Sequence, residues 1–250
     1  MKKLIIFIVL VFNSGILPAQ TEKINGDALI KKAIQVSTPD TMVSTTKQIV
    51  YFYTGKKREF IVKSWNKDGN DKMLFVYEKP ARVKGDKFLF LKGGDIWVFF
   101  SKTGRIRRIA SSAKKSKMQG SDFSYEDMSM ISSIDEDFQS KILREEKFDG
   151  EDCYIVESRP IKKDKYSYSH LVSWIDKNIN VLRKMEYYQA GQLEKTLAQK
   201  EYKKIKEFYI PYETIMKSLK NDTRTEMFIE KLEINVQVPD RMFNKNALSR

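Results

Sequence analysis

From Thr45 onward the chain is a succession of short apolar-rich segments, each closed by residues that favour a turn. Residues 47–54 end at Gly55-Lys56, residues 58–65 at the loop 66–70 with its Gly69, and residues 72–77 at Lys79-Pro80. Segments 87–91, 96–100 and 105–109 follow, separated by Gly93-Gly94 and by Lys102-Thr103-Gly104. The pattern resumes at 138–148, 153–159, 166–176, 181–189, 192–206, 209–218 and 223–236, with turn signals at Asp149-Gly150, Ala190-Gly191 and Asn221-Asp222. Runs of this length between Gly, Asn, Asp and Pro predict strands joined as hairpins. Their even spacing predicts an antiparallel meander. No linker or low-complexity tract divides it, so residues 20–250 read as one domain.

Two stretches carry a helical period instead. Leu29, Ile30, Ala33 and Ile34 share one helical face, with Lys31 and Lys32 off it. They predict an amphipathic helix over about 28–37, N-capped by Asp27 and closed by Pro39. Residues 110–134 interrupt the strands and are rich in Ser, Lys and Met. There Ser121 or Asp122 is placed to cap a short helix over 122–131 carrying Phe123 and Met128. An insert of this length between strands points to function or mobility.

The strands are not alike. An antiparallel strand with one wet face alternates apolar and polar residues. Residues 49–53, 73–77, 88–91 and 96–100 are apolar on both faces, whereas later strands alternate. In 166–175, Tyr166, Tyr168, His170, Val172 and Trp174 share one face and Ser167, Ser169, Leu171, Ser173 and Ile175 the other. Two arrangements satisfy this: a sandwich or helix-covered sheet with nothing bound, or a strongly curved sheet whose inner face lines an apolar cavity.

Composition narrows the chemistry. Met1-Lys2-Lys3, the apolar run 4–12 and the small Ala19 before Gln20 follow the order of a cleavable signal peptide over residues 1–19. That run is too short to span a bilayer, which needs about 20 residues. The expected location is outside the cytoplasm, with no Cys near the cleavage point to carry a lipid. Net charge is +13; removing Lys2 and Lys3 leaves 44 basic against 33 acidic residues, hence +11. Such an excess fits anionic lipid head groups or acidic polysaccharide before nucleic acid, or simply a Lys-rich surface. One Cys and one His exclude an intramolecular disulfide and a zinc site built of several such ligands. No Gly-x-Ser-x-Gly elbow and no phosphate loop occur, so His170 reads as structural rather than catalytic and no cofactor is expected. Cys153 reads as a small buried hydrophobe, and Asp135-Glu136-Asp137 as a solvated loop rather than a Ca²⁺ site.

Several motifs then carry a resemblance. Tyr77-Glu78-Lys79-Pro80, Gly94-Asp95-Ile96-Trp97, Gly104-Arg105-Ile106-Arg107-Arg108-Ile109 and, most specifically, Gly120-Ser121-Asp122-Phe123-Ser124-Tyr125-Glu126-Asp127 resemble the outer-membrane lipoprotein-sorting proteins, the LolA/LolB-like lipid carriers. The closing 238–243 segment extends the similarity over nearly the whole mature chain. The resemblance implies a mainly β, half-closed antiparallel barrel of about 10–11 strands, with a few short helices covering the concave face. It implies a monomeric, non-enzymatic periplasmic shuttle for lipid or lipoprotein acyl chains, served by an inner-membrane transporter and touching membrane surfaces transiently. The lining expected on this basis is Trp65, Phe75, Phe88, Phe90, Trp97, Phe99, Phe123 and Met128. Ser121, Asp122, Tyr125 and Asp127 would belong to a lid, and Arg105, Arg107 and Arg108 to a basic rim. A non-carrier accessory subunit of an envelope transporter, or a hydrolase using His170, are the competing readings.

Overall fold

The computed structural model describes residues 25–249; the expected signal peptide, 1–19, lies outside them. Helix α1 (Gly26–Ser37) precedes strands β1 (Thr41–Tyr51), β2 (Lys57–Lys67), β3 (Lys72–Lys79), β4 (Lys87–Leu91), β5 (Asp95–Phe100) and β6 (Arg105–Arg108). The insert holds α2 (Tyr125–Met130) and α3 (Ile134–Asp137). Strands β7 (Phe138–Phe148), β8 (Glu151–Pro160), β9 (His170–Asp176), β10 (Leu182–Gln189), β11 (Gln192–Ile205), β12 (Phe208–Ser218) and β13 (Thr223–Ile234) complete the chain.

All thirteen strands form one antiparallel sheet in the order β6-β5-β4-β3-β2-β1-β13-β12-β11-β10-β9-β8-β7. The first and last strands therefore meet in the middle, and β6 and β7 are the free edges. The sheet is an open barrel, with two or three more strands than the 10–11 expected. The chain between the edges, residues 109–137, covers part of the concave side through α2 against β4 and β5. Helix α1 lies on β7, β8 and β9 and reaches β12.

Alternation sorts the side chains into layers. Tyr77, Phe88, Phe90, Ile96 and Val98 point inward into the main core. Their strand neighbours Leu74, Leu89, Trp97 and Phe99 point outward into a second core. That outer layer is closed by the C-terminal tail, whose 3₁₀ turns at Asp240–Phe243 and Lys245–Ala247 seat Phe243 and Leu248. Both faces of β3–β5 are thus dry, which explains their continuous apolar runs. A third, smaller outer cluster joins Cys153, Ile155, Val172 and Trp174. Burial pushes the Cys153 thiol up to about 11.

The free edge β7 is managed by α1. Its N-cap is Asn25, whose Oδ1 accepts the Ala28 N–H at 2.7 Å. Asp27, expected to be the cap, lies in the first turn and accepts the backbone N–H of Ser140 on β7 at 2.6 Å. Gly26 lets the two backbones meet: a Cβ there would lie 2.5 Å from the Ser140 carbonyl. A helix end covering an edge strand removes a template for unwanted pairing.

Two other elements differ from the pattern reading. β1 begins at Thr41 rather than 47, because its inward residues Ser44, Thr46 and Gln48 are polar yet buried. β9 begins at His170 rather than 166. The irregular stretch before it turns Tyr168 into the main core, away from His170. Among the described residues, no helix is long and apolar enough to cross a membrane.

Candidate functional site

The concave side encloses a cavity of about 360 Å³ between the sheet, α1 and the insert. Ile30, Ala33 and Ile34 of α1 face it on one side, and Phe123, Met128 and Ile131 of the insert on another. The strand walls come from β1–β3 and β9–β13. Seven of the chain's ten methionines line it, Met73, Met185, Met216 and Met227 among them. Unbranched thioethers re-pack around guests of different shape more readily than branched or aromatic side chains. The volume falls within the range of about 300–1,000 Å³ usual for small-molecule sites.

Of the expected lining residues, Phe75, Phe123 and Met128 reach the cavity wall. Phe88 and Phe90 are buried in the same core but behind the wall; Phe88 packs on Tyr125 with ring centroids 6.2 Å apart. Trp65, Trp97 and Phe99 do not face the cavity. They lie on the outer face under the C-terminal tail, because each sits one residue out of phase with the inward side chains of its strand.

The insert is fixed to the sheet by its acids. The Asp122 carboxylate accepts from Lys117 at 2.9 Å, from Thr223 at 2.5 Å and from Thr225 at 2.9 Å, the last two on β13. Glu126 accepts the backbone N–H and the hydroxyl of Ser167 at 2.5 and 3.0 Å. Asp127 accepts from the Tyr168 phenol at 2.6 Å and from Lys195 of β11 at 2.5 Å. It also forms a capping box with Ser124, the N-cap of α2. The cap lies two or three residues beyond the one the pattern predicted. Asp122 is held by β13, and residue 124 still pairs with Lys117 as an isolated bridge. Burial and the neighbouring Asp127 push the Tyr168 phenol well above the usual tyrosine range.

Ser121 donates its hydroxyl to the Met118 carbonyl at 2.8 Å and holds the turn that enters this motif. Tyr125 lies over Phe88. The sheet-side partners Ser167, Tyr168, Lys195, Thr223 and Thr225 had no signal in the sequence. They are scattered polar residues of strands and loops that only the fold brings to the insert.

Arg105, Arg107 and Arg108 are exposed on the edge strand β6. Arg108 pairs with Asp95, and Arg105 and Arg107 face solvent. Lys117, in the same basic stretch, is taken up by Asp122.

His170 stacks on Tyr188 at 4.4 Å and meets the Ser169 hydroxyl at 3.2 Å. Burial and Arg159 hold its pKa below the usual histidine value. The Ser169 hydroxyl is also bonded to the Tyr188 carbonyl. Among the described residues, no carboxylate hydrogen-bonds the ring in the way a nucleophile triad uses to orient its histidine.

Three solved structures are similar over nearly their whole length. A domain described as a candidate outer membrane lipoprotein-sorting protein from Vibrio parahaemolyticus matches at 27% identity and a TM-score of 0.82, covering 90% of this chain and 98% of its own. A DUF1329 family protein from Desulfovibrio piger matches at 28% and 0.82, covering 89% and 97%. A LolA superfamily protein from Nitrosomonas europaea shares the fold at 22% and 0.75, covering 89% and 99%. No curated protein matches the sequence. A family model described as "uncharacterized protein" matches residues 69–250, most of the chain. The chain belongs to that family, and it is similar over nearly its whole described length to the lipoprotein-sorting domain and the DUF1329 protein.

Proposed function

We propose that the protein is a periplasmic lipid carrier that holds acyl chains in the concave cavity and moves them between envelope membranes. The observation that carries this reading is the Met-rich cavity between the curved sheet and its covering helices. A carrier needs apolar area rather than a reactive centre, since burial stabilises an acyl chain by about 0.8 kcal/mol per CH₂. The LolA-like fold supports the same reading. Cargo would enter from an inner-membrane transporter. Arg105 and Arg107, exposed beside the insert, suit transient contact with anionic head groups, and the insert held by Asp122, Glu126 and Asp127 would act as the lid.

Native mass spectrometry of protein purified from the periplasm, followed by solvent extraction, tests this. Co-purifying lipid, or uptake of added lipid, is the expected result. Leu197→Asp places a charge in the cavity wall and should abolish uptake while the strand content by circular dichroism persists. Failure to retain or take up any lipid overturns the proposal.

A further inference from the structure

The cavity is not uniformly apolar. Ser44 and Ser64 bond each other across β1 and β2 at 2.8 Å, with Thr46 and Asn66 on the same inner face. Four buried side-chain polar atoms of the described residues have no hydrogen-bond partner: Ser37 Oγ, Asn66 Oδ1, Ser173 Oγ and the Tyr77 hydroxyl. The first three belong to residues that line this one cavity, while Tyr77 lies in the apolar packing of β3. Asn66 is 7% exposed and Ser173 is fully buried. Buried polar atoms normally find partners, and each exception calls for one.

The unmet needs are specific. Asn66 uses its amide N–H on Asn70 Oδ1 at 2.7 Å, which leaves its carbonyl oxygen asking for a donor. The serine hydroxyls at 37 and 173 can donate or accept. Among the described residues, Asp127 is the only acidic or basic side chain on the wall, and it is saturated by Ser124, Tyr168 and Lys195. Nothing there would balance an ionised head group, but a group that both donates and accepts a hydrogen bond would be met.

We propose that the cavity contains a polar subsite at Ser37, Asn66 and Ser173, and that its cargo is a neutral lipid bearing a hydroxyl group beside its acyl chain, as in an acylglycerol. This rests on the carrier reading and adds the class of cargo to it. An ionised head group would stay outside the wall, while the hydroxylated ester region enters and meets the Asn66 carbonyl and the serine hydroxyls.

The test is displacement of a fluorescent apolar probe from the full mature chain by three ligands with one acyl chain: monopalmitoylglycerol, methyl palmitate and palmitate. Monopalmitoylglycerol should bind about tenfold tighter than methyl palmitate, as one or two net hydrogen bonds imply, and palmitate should bind no better than the methyl ester. Asn66→Leu and, as the milder change, Ser173→Ala should bring the ratio toward one. Tyr77→Phe should keep the wild-type ratio. Equal binding of monopalmitoylglycerol and methyl palmitate would overturn the subsite and leave the carrier reading standing, with water satisfying the polar atoms. Preference for palmitate would also overturn the subsite. Binding of none of the three would overturn the carrier reading, and the subsite with it.

Discussion

In β3–β5 each strand buries both faces against the chain itself. Tyr77, Phe88 and Phe90 fill the inner side beneath α2, while Leu74, Leu89 and Trp97 fill the outer side beneath the C-terminal tail. In β10–β13 the strands alternate, and their inner residues Met185, Leu197, Met216 and Met227 look into open space. The more apolar part of the sheet is therefore the more solid one, with only Met73 and Phe75 of β3 at the cavity wall, and the cavity lies mainly over the rest. A continuous apolar run reports that both faces are covered, not that one of them binds a guest. Rigid aromatics packed edge to face, as Tyr77 and Phe88 are at 5.4 Å, leave little space. Methionines opposite hydroxyl-bearing residues leave some.

The contrast can be broken at its strongest point first. Truncation before Pro239 uncovers the outer face of β3–β5, and the chain should lose cooperative unfolding in urea and aggregate by light scattering. Phe243→Ala alone should cost about 3–5 kcal/mol. If the truncated chain unfolds like the intact one, the tail is not what keeps that face dry.

Phe88→Ala in the solid half should also cost about 3–5 kcal/mol and leave lipid uptake little changed. Met227→Ala, half-buried on the cavity wall, should cost about 2 kcal/mol or less and alter uptake instead. Urea unfolding and a lipid-uptake assay on the same two variants would reveal a reversed order.

Gly26→Ala drives a methyl group into the Ser140 carbonyl. It should cost about 1–3 kcal/mol as α1 lifts from β7. Amide hydrogen exchange should then rise at Ser140 before it rises in β3–β5.

The smallest effect concerns pH. Hydrogen bonds from Lys67 and Lys72 hold Asp240 down at about 2 and tie the tail to β2 and β3. A lowered carboxylate stabilises the fold above its unfolded value near 3.9, and that contribution fades as pH falls through about 2. Asp240→Asn should flatten acid unfolding slightly between about pH 4 and pH 2. Asp240 is a surface group, so salt should reduce the difference.

Much of this was legible beforehand. The pattern placed strand segments in every position the structure fills, and α1 to within two residues. It placed Phe75, Phe123 and Met128 in segments that reach the cavity. It misplaced Trp65, Trp97 and Phe99, because on a strand apolar on both faces the period of two carries no sign. It also missed the first six residues of β1, since Ser44, Thr46 and Gln48 look solvent-facing yet line the inside.

The sequence by itself determined local matters: which segments are strands, where they turn, and that β3–β5 must keep both faces from water, by packing or by a guest. These follow from neighbours a few residues apart, whose propensities and alternation act before any long-range contact forms. Tertiary structure alone decided that β1 pairs with β13, that Asp127 meets Lys195 across 68 residues of chain, and which face of each apolar strand turns inward. Those outcomes depend on curvature and on pairing between distant segments, and a local period is blind to both.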